Sequence, residues 1–379
     1  MIIVLSTQAL LIPKSIRNRG LRSSKGKWKY TKRNTEEVMN EKVLIRSKAP
    51  LRMSFAGGGT DVSPYSEERG GIVLSTTIDK YAYCTISPRC DSEITIKSLD
   101  FGKTETWQAN GNLMRYDGNL DIIKAVLKHF DVKQGFDMFL HCEAPPGSGL
   151  GGSSTVIVSI IGATAEWLGI PLSQYEIARL AYVLEREELK FQGGKQDQYA
   201  AVFGGFNYME FKGSDVIVTP LRIKNDILNE LHYNLLLCYT GRTRDSGNII
   251  QEQKRGYSQG KEQVISALDN AKRLATETKD ALMKGEIHRI GELLDESWQF
   301  KKRFTESISN EYIDKIYSTA RSNGAIGGKI SGAGGGGFMF FICEYDKKHL
   351  VANELQKLGV ESVPFNFDKY GLQTWRYRT

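Results

Sequence analysis

Pro145-Pro146-Gly147-Ser148-Gly149-Leu150-Gly151-Gly152-Ser153-Ser154 packs four glycines and three serines between an apolar run and a long helix-forming segment. Backbone so poor in Cβ atoms turns tightly and aims successive N–H groups at one point, and a helix that starts there adds the positive end of its dipole. The chemistry of such a loop is to cradle phosphate. A plain helix-start turn is the other use of the same residues.

Two known loop patterns fit it badly. Gly147-x-Gly149-x-x-Gly152 matches the dinucleotide fingerprint, yet about twenty residues on, where an acidic residue should close a second strand, the chain reads Pro171-Leu172-Ser173-Gln174 and opens another helix. The Walker loop fits from Gly147 to Ser154, except that Ser153 stands at the lysine position. A cradle without that lysine must draw its charge compensation from backbone amides, a metal ion and residues elsewhere.

Suppose the loop holds a triphosphate. A divalent cation is then needed, and a hydroxyl at a helix N-terminus is a usual magnesium ligand, a role open to Ser153. Magnesium takes one or two carboxylates besides phosphate oxygens and water. Glu185 and Glu187, at the far end of a helical stretch, are both candidates, or else part of a solvated charge run. Carboxylates there oppose the helix dipole, which favours a cation nearby. Asp197, after Gly193-Gly194-Lys195-Gln196, is either a helix cap or a base that takes the proton of a hydroxyl attacking phosphorus. Arg52 is the cation to stand beside it.

Four motifs in order carry a resemblance. Ala49-Pro50-Leu51-Arg52 leading to Gly57-Gly58-Gly59-Thr60-Asp61, Pro145 to Ser154, Gly194-Lys195-Gln196-Asp197-Gln198, and Lys329 to Gly337 resemble those of the GHMP kinases, the galactokinase, homoserine, mevalonate and phosphomevalonate kinase superfamily. The resemblance implies an α+β, two-domain fold, with a phosphate-loop domain over 39–213, a ferredoxin-like domain over 214–379 and the active site in the cleft between. It implies ATP and Mg2+ as cofactors. Pro146, Gly147, Ser148, Gly149, Leu150, Gly151, Gly152, Ser153 and Ser154 would hold the nucleotide phosphates, and Ser153 and Glu185 the magnesium. Asp197 would be the base with Arg52 beside it, Asp61 would meet sugar hydroxyls, and Gly332, Gly334 and Gly335 would back phosphates and substrate.

Galactokinases carry a Glu-His pair where this chain has Gly58-Gly59, which argues against galactose and opens the pocket that Gly57 and Thr60 complete. Within the superfamily, the triple glycine, the Gly194 to Gln198 run and Tyr239-Thr240-Gly241-Arg242-Thr243-Arg244 look like the 1-kinases of D-glycero-D-manno-heptose 7-phosphate. Fucokinases share the first motif more loosely. A substrate that already carries phosphate calls for guanidinium or ammonium groups, and Arg242, Arg244 and Lys195 are the candidates, against a reading as ordinary exposed cations. The rivals are an L-fucose or other unphosphorylated-sugar kinase and a non-catalytic sugar and ATP sensor. Intact Asp197, Glu185 and Arg52 argue for turnover.

These residues need elements to hold them. Val43 to Ser54 reads as a strand stopped by the triple glycine, and Ile72 to Leu74 and Tyr81 to Ser87 read as separate strands. Ile94 to Lys97, Glu105 to Gln108 and Met138 to Cys142 are further strands, and Asn119 to His129 has helical spacing. Val156 to Trp167, apolar on nearly every face, predicts a buried helix, and Ser173-Gln174-Tyr175-Glu176 a capping box. Gln196 to Phe203 predicts a short helix, Val216 to Thr219 and Leu235 to Cys238 strands, and the polarity shift near Lys212 to Asp215 a domain boundary. Helices over Gln259–Met283, Ile287–Phe304, Asn310–Arg321 and Lys347–Leu358, with a strand over Phe338–Cys343, follow.

The length of 379 residues suits two domains, and 40% hydrophobic with 25% charged residues is ordinary globular composition. No apolar run is long enough for a membrane span. The net charge of +7 resides wholly in residues 1–38, which hold nine Lys or Arg against two Glu. The rest is formally neutral, so no nucleic-acid partner is expected. Residues 1–38 read as a disordered tail, with Met39 a more conventional start. Five scattered cysteines without a C-x-x-C pair suit reduced thiols and a cytoplasmic protein, a Cys84–Cys90 pair being the alternative.

Overall fold

The computed structural model describes residues 43–100, 102–109, 115–242 and 246–378; the expected tail at 1–38 and Arg244 lie outside them. Strand β1 (Val43–Ala56) runs on past the expected break, because from Ala49 onwards both its faces are covered. After a single turn of helix, α1 (Tyr65–Glu68), comes β2 (Gly71–Pro88), one continuous strand instead of two. Its polar middle is not a loop. Thr77 Oγ1 donates to Asp368 O at 2.7 Å and accepts from Gly205 N at 2.7 Å, so chain from far along the sequence closes over it.

The first half continues with β3 (Glu93–Ser98), β4 (Lys103–Gln108), α2 (Asp121–His129), β5 (Phe136–Cys142), α3 (Gly152–Leu168) and α4 (Gln174–Tyr182). A π-helical turn (Val183–Glu188) leads to α5 (Gln196–Phe203), β6 (Asn207–Lys212) and β7 (Asp215–Pro220). Then come α6 (Asn225–Asn234), β8 (Leu235–Tyr239), α7 (Ser246–Ser258), α8 (Glu262–Lys284), α9 (Ile287–Lys301) and α10 (Glu311–Ser322). The chain ends with β9 (Ala325–Ile330), β10 (Phe338–Cys343), α11 (Lys348–Gln356) and the short strands β11 (Glu361–Ser362), β12 (Phe367–Asp368) and β13 (Gln373–Arg378).

Two sheets result. The larger follows the order β13-β1-β2-β5-β3-β4, and the long β2 also pairs with β6 and β12; among the described residues only β3 and β5 run parallel. The smaller is antiparallel, β11-β8-β10-β9. The polarity shift at Lys212–Asp215 is the turn of the β6–β7 hairpin, inside the first sheet. By strand pairing the crossing comes later, between β7 and β8, and β12 and β13 return to the first sheet at the end of the chain.

Helix α3 lies on the first sheet, with Ile157, Val158, Ile160 and Ile161 wholly buried. A second apolar layer joins Leu51, Met53 and Phe55 of β1 to Leu237, Phe340 and Leu294 of the other half. Burial on that scale is the dominant stabilising term. It also fixes the two sheets so that three glycine-rich loops meet. Among the described residues, no helix is long and apolar enough to cross a membrane.

Candidate active site

The loops line one cleft of about 460 Å³. Arg52, on β1, forms its floor. Its backbone N–H donates to Leu150 O at 3.1 Å and ties the strand to the phosphate loop. Its guanidinium Nε donates to Asp197 Oδ1 at 2.8 Å and Nη1 to Gly149 O at 2.5 Å.

Asp197 sits in the first turn of α5, but that helix has no side-chain cap; the carboxylate turns to Arg52. Its other oxygen faces the phosphate loop. A Cβ at Gly151 would stand 3.4 Å from Asp197 Oδ2, so glycine there leaves that atom open to the cleft.

The second and third glycine loops touch backbone to backbone. Gly149 has φ +87° and a Cβ there would stand 2.5 Å from Ser331 O, while at Gly332, φ +71°, it would stand 2.7 Å from Gly149 Cα. Ser331 Oγ donates to Gly149 O at 2.9 Å and Phe338 N to Ser148 O at 2.9 Å. Any side chain at either glycine would part the loops, so the third loop is a buttress for the second, the phosphate loop.

At the start of α3, Ser153 Oγ donates to Glu185 Oε1 at 2.8 Å and Ser154 Oγ to Oε2 at 2.7 Å, and Gln198 Nε2 also donates to Oε2 at 2.7 Å. Residues two apart on a helical turn point to nearly opposite sides. Glu185 is therefore wholly buried against the cradle, and Glu187 is exposed. Arg186 Nη1 lies 3.4 Å from Glu185 Oε1, and its Nη2 donates to Ser154 Oγ at 3.1 Å.

Asp61 lines the same cleft. Its oxygens accept from Gly59 N at 3.1 Å, Gln196 N at 3.1 Å and Gln196 Nε2 at 3.0 Å. Burial pushes its carboxyl above the usual range, with the Asp197 charge adding to the rise and the N–H donors opposing it. Gly58 and Gly59 line the cleft with it. Gly57 and Thr60 do not. Thr60 Oγ1 lies 2.8 Å from Gly57 O and accepts from Ile72 N at 3.0 Å, bracing the turn instead.

Other expected contacts also fall elsewhere. Pro146 and Leu150 are outside the cleft lining, Leu150 being buried in the shared apolar layer. Gly332 lines the cleft, but Gly334 packs on Ile308 and Gly335 N donates to Ile308 O at 2.8 Å. Lys195 Nζ is spent on Glu67 Oε1 at 2.9 Å and Gly213 O at 2.6 Å. The Arg242 guanidinium lies over the Tyr312 ring, 4.3 Å from its centroid, and outside the lining.

Residues 119–205 match the family model of the GHMP kinase N-terminal domain, and 278–361 that of the GHMP kinase C-terminal domain. The D-glycero-alpha-D-manno-heptose 7-phosphate kinase of Campylobacter jejuni is 43% identical over 341 residues, 88% of this chain and 99% of that protein. This chain belongs to the GHMP kinase family. The solved D-glycero-D-manno-heptose 1-phosphate kinase of Bacteroides thetaiotaomicron is similar at TM-score 0.74 and 38% identity, over 87% of this chain and 98% of that one. The bifunctional fucokinase/GDP-fucose pyrophosphorylase of Arabidopsis thaliana is 28% identical over 85% of this chain but only 32% of that protein.

The GHMP kinase is an ATP-dependent phosphotransferase, and its cleft holds groups that no motif spacing marked. Ser54 Oγ and Gln196 Oε1 line it buried and without a partner. Lys301 closes α9 and looks in sequence like a lysine answering the helix dipole. Lys329 opens the fourth motif, where the glycines drew the attention. Both ammonium groups are buried in the lining.

Proposed function

We propose that this kinase transfers the terminal phosphoryl group of ATP to the anomeric hydroxyl of D-glycero-D-manno-heptose 7-phosphate, giving the 1,7-bisphosphate. The observation that carries the chemistry is the Arg52–Asp197 pair, with Asp197 Oδ2 turned to Gly151 of the phosphate cradle. The substrate is supported by the 43% identity to the Campylobacter jejuni heptose 7-phosphate kinase over nearly its whole length.

Asp197 takes the hydroxyl proton as the oxygen attacks the terminal phosphorus, and the bond from that phosphorus to the bridging oxygen breaks to release ADP. Arg52, fixed by Gly149 O on one side and Asp197 on the other, orients the carboxylate and faces the charge that develops. The amides at the start of α3 receive the phosphates.

Glu185 with the Ser153 hydroxyl fits magnesium, as a buried carboxylate and a hydroxyl oxygen gathered at a phosphate cradle. Magnesium bound there would neutralise phosphate charge. Among the described residues there is no cluster of three or more metal-ligating side chains, as suits a cation that takes most of its oxygens from phosphate and water. Five free cysteines fit a reducing compartment such as the cytoplasm.

ADP release measured over a panel of heptose 7-phosphate, the phosphate-free heptose, mannose and L-fucose tests the assignment, with heptose 7-phosphate expected to lead. Preference for a phosphate-free sugar would move the enzyme to the fucokinase side. No turnover on any of them would leave the sensor reading.

A further inference from the structure

A sugar that enters with a phosphate brings a dianion into a cleft, and the cations first suggested for it, Lys195 and Arg242, are engaged with Glu67 and Tyr312. Lys301 and Lys329 are not. Lys329 Nζ donates to Phe55 O at 3.2 Å and Lys301 Nζ to Gly332 O. A carbonyl uses one of the three protons of an ammonium group and neutralises none of its charge.

Among the described residues, neither ammonium has a carboxylate within ion-pair distance. Lys301 and Lys329 face each other, Arg52 faces both, and Asp61 faces Lys301. Three basic groups thus converge with two carboxyls: Asp197 is taken by Arg52, and burial pushes Asp61, Lys301 and Lys329 all towards their neutral forms. Buried charge of one sign is expensive unless it is paired. Such a cluster is expected where the missing anion arrives with the ligand.

The position of the pair favours the sugar over the nucleotide. Lys329 reaches the carbonyl next to Ser54, whose unpaired Oγ would stand 3.2 Å from a Cβ at Gly58. Lys301 leads into Phe304, which would stand 2.8 Å from a Cβ at Gly59. Lys329 thus belongs with the first glycine loop and Lys301 spans from that loop to Gly332 of the third, whereas the nucleotide cradle already has Arg186 beside Glu185.

We infer that Lys301 and Lys329 form a subsite for the phosphate monoester that the sugar carries, and select phosphorylated over phosphate-free sugar. The inference rests on the sugar-phosphate substrate proposed above. The terminal phosphate of the nucleotide has the same chemistry, and the test separates the two.

Lys301→Met and Lys329→Met remove the charges while keeping the apolar stems. For each variant and the wild type, kcat/KM is measured with heptose 7-phosphate and with the phosphate-free heptose. The Kd of heptose 7-phosphate is measured by calorimetry without nucleotide or metal. The preference ratio should fall about ten- to a hundredfold and the Kd rise in step, the scale of a charged hydrogen bond. Equal losses on both sugars with a raised KM for ATP would assign the lysines to the nucleotide and overturn the inference. An unchanged ratio and Kd would make them structural and overturn it too. If the wild type itself shows no preference for the phosphorylated sugar, the proposed function fails first and takes the subsite with it. Should Lys301→Met not fold, Lys301→Gln, which can still donate to Gly332 O, serves in the same comparison.

Discussion

The two walls of the cleft differ in how they meet anions. The wall built from the first half uses backbone amides at the start of α3 and the hydroxyls of Ser153 and Ser154, and the carboxylate beside them, Glu185, is already answered by Arg186 at 3.4 Å. The wall built from α9 and β9 uses two buried ammonium groups answered only by carbonyls. Fixed dipoles cost little to hold ready, but unpaired buried charges cost a great deal. The first wall is at rest in the empty enzyme, and the second is completed by its ligand.

The sharpest way to break this comparison lies where the walls meet. Asp197→Asn keeps an oxygen able to accept from Arg52 but removes the base. Its kcat should fall by about 10² to 10⁴, the usual contribution of positioned proton transfer, while the Kd values of ATP and sugar phosphate stay close to wild type. If kcat falls less than about tenfold, Asp197 is holding Arg52 in place and not taking the proton.

A smaller effect tests the second wall directly. Burial, with Arg52 adding repulsion, brings the Lys329 ammonium down to about 7 from its ordinary value of 10.5. Between those values the unfolded chain holds a proton that the folded one has lost, so this group weakens folding most at and below pH 7 and ceases to do so as pH approaches 10.5. Lys329→Met should therefore melt higher than wild type near pH 7, by several degrees, with the difference shrinking towards pH 10. A gain that stays constant with pH would mean that the ammonium is solvated, and the second wall would be no different in kind from the first.

The walls also differ in how far the sequence announced them. Gly149 and Gly332 are legible because no other residue fits positive φ at such close approach, and Ser173 forms its capping box with Glu176 as the pattern required. Residues that owe their role to distant chain are not legible. The polar stretch of β2 looked like a break because what covers it, β12, lies about three hundred residues away. Gly327 and Gly328 are the middle of β9, where a Cβ at Gly327 would stand 2.0 Å from Gly291 O of α9. Lys301 looked like a helix-end lysine until the fold laid the third glycine loop against it.

The smallest expected effect marks the edge of the second wall. Arg242 was the natural candidate for the sugar's phosphate, since a guanidinium fork suits that group better than an ammonium does. Its side chain instead covers the face of Tyr312, whose hydroxyl lies 3.2 Å from both Thr240 O and Leu358 O. Arg242→Ala should therefore cost only about 0.5 to 1 kcal/mol of stability, the worth of an exposed cation–π contact, and leave the sugar-phosphate preference ratio where Lys329→Met lowers it. A fall in that ratio as large as the lysine variants produce would mean that the loop after β8 turns its guanidinium inwards when substrate arrives. The charge awaiting the sugar's phosphate would then come partly from Arg242, and the strain ascribed to the second wall would be shared with it.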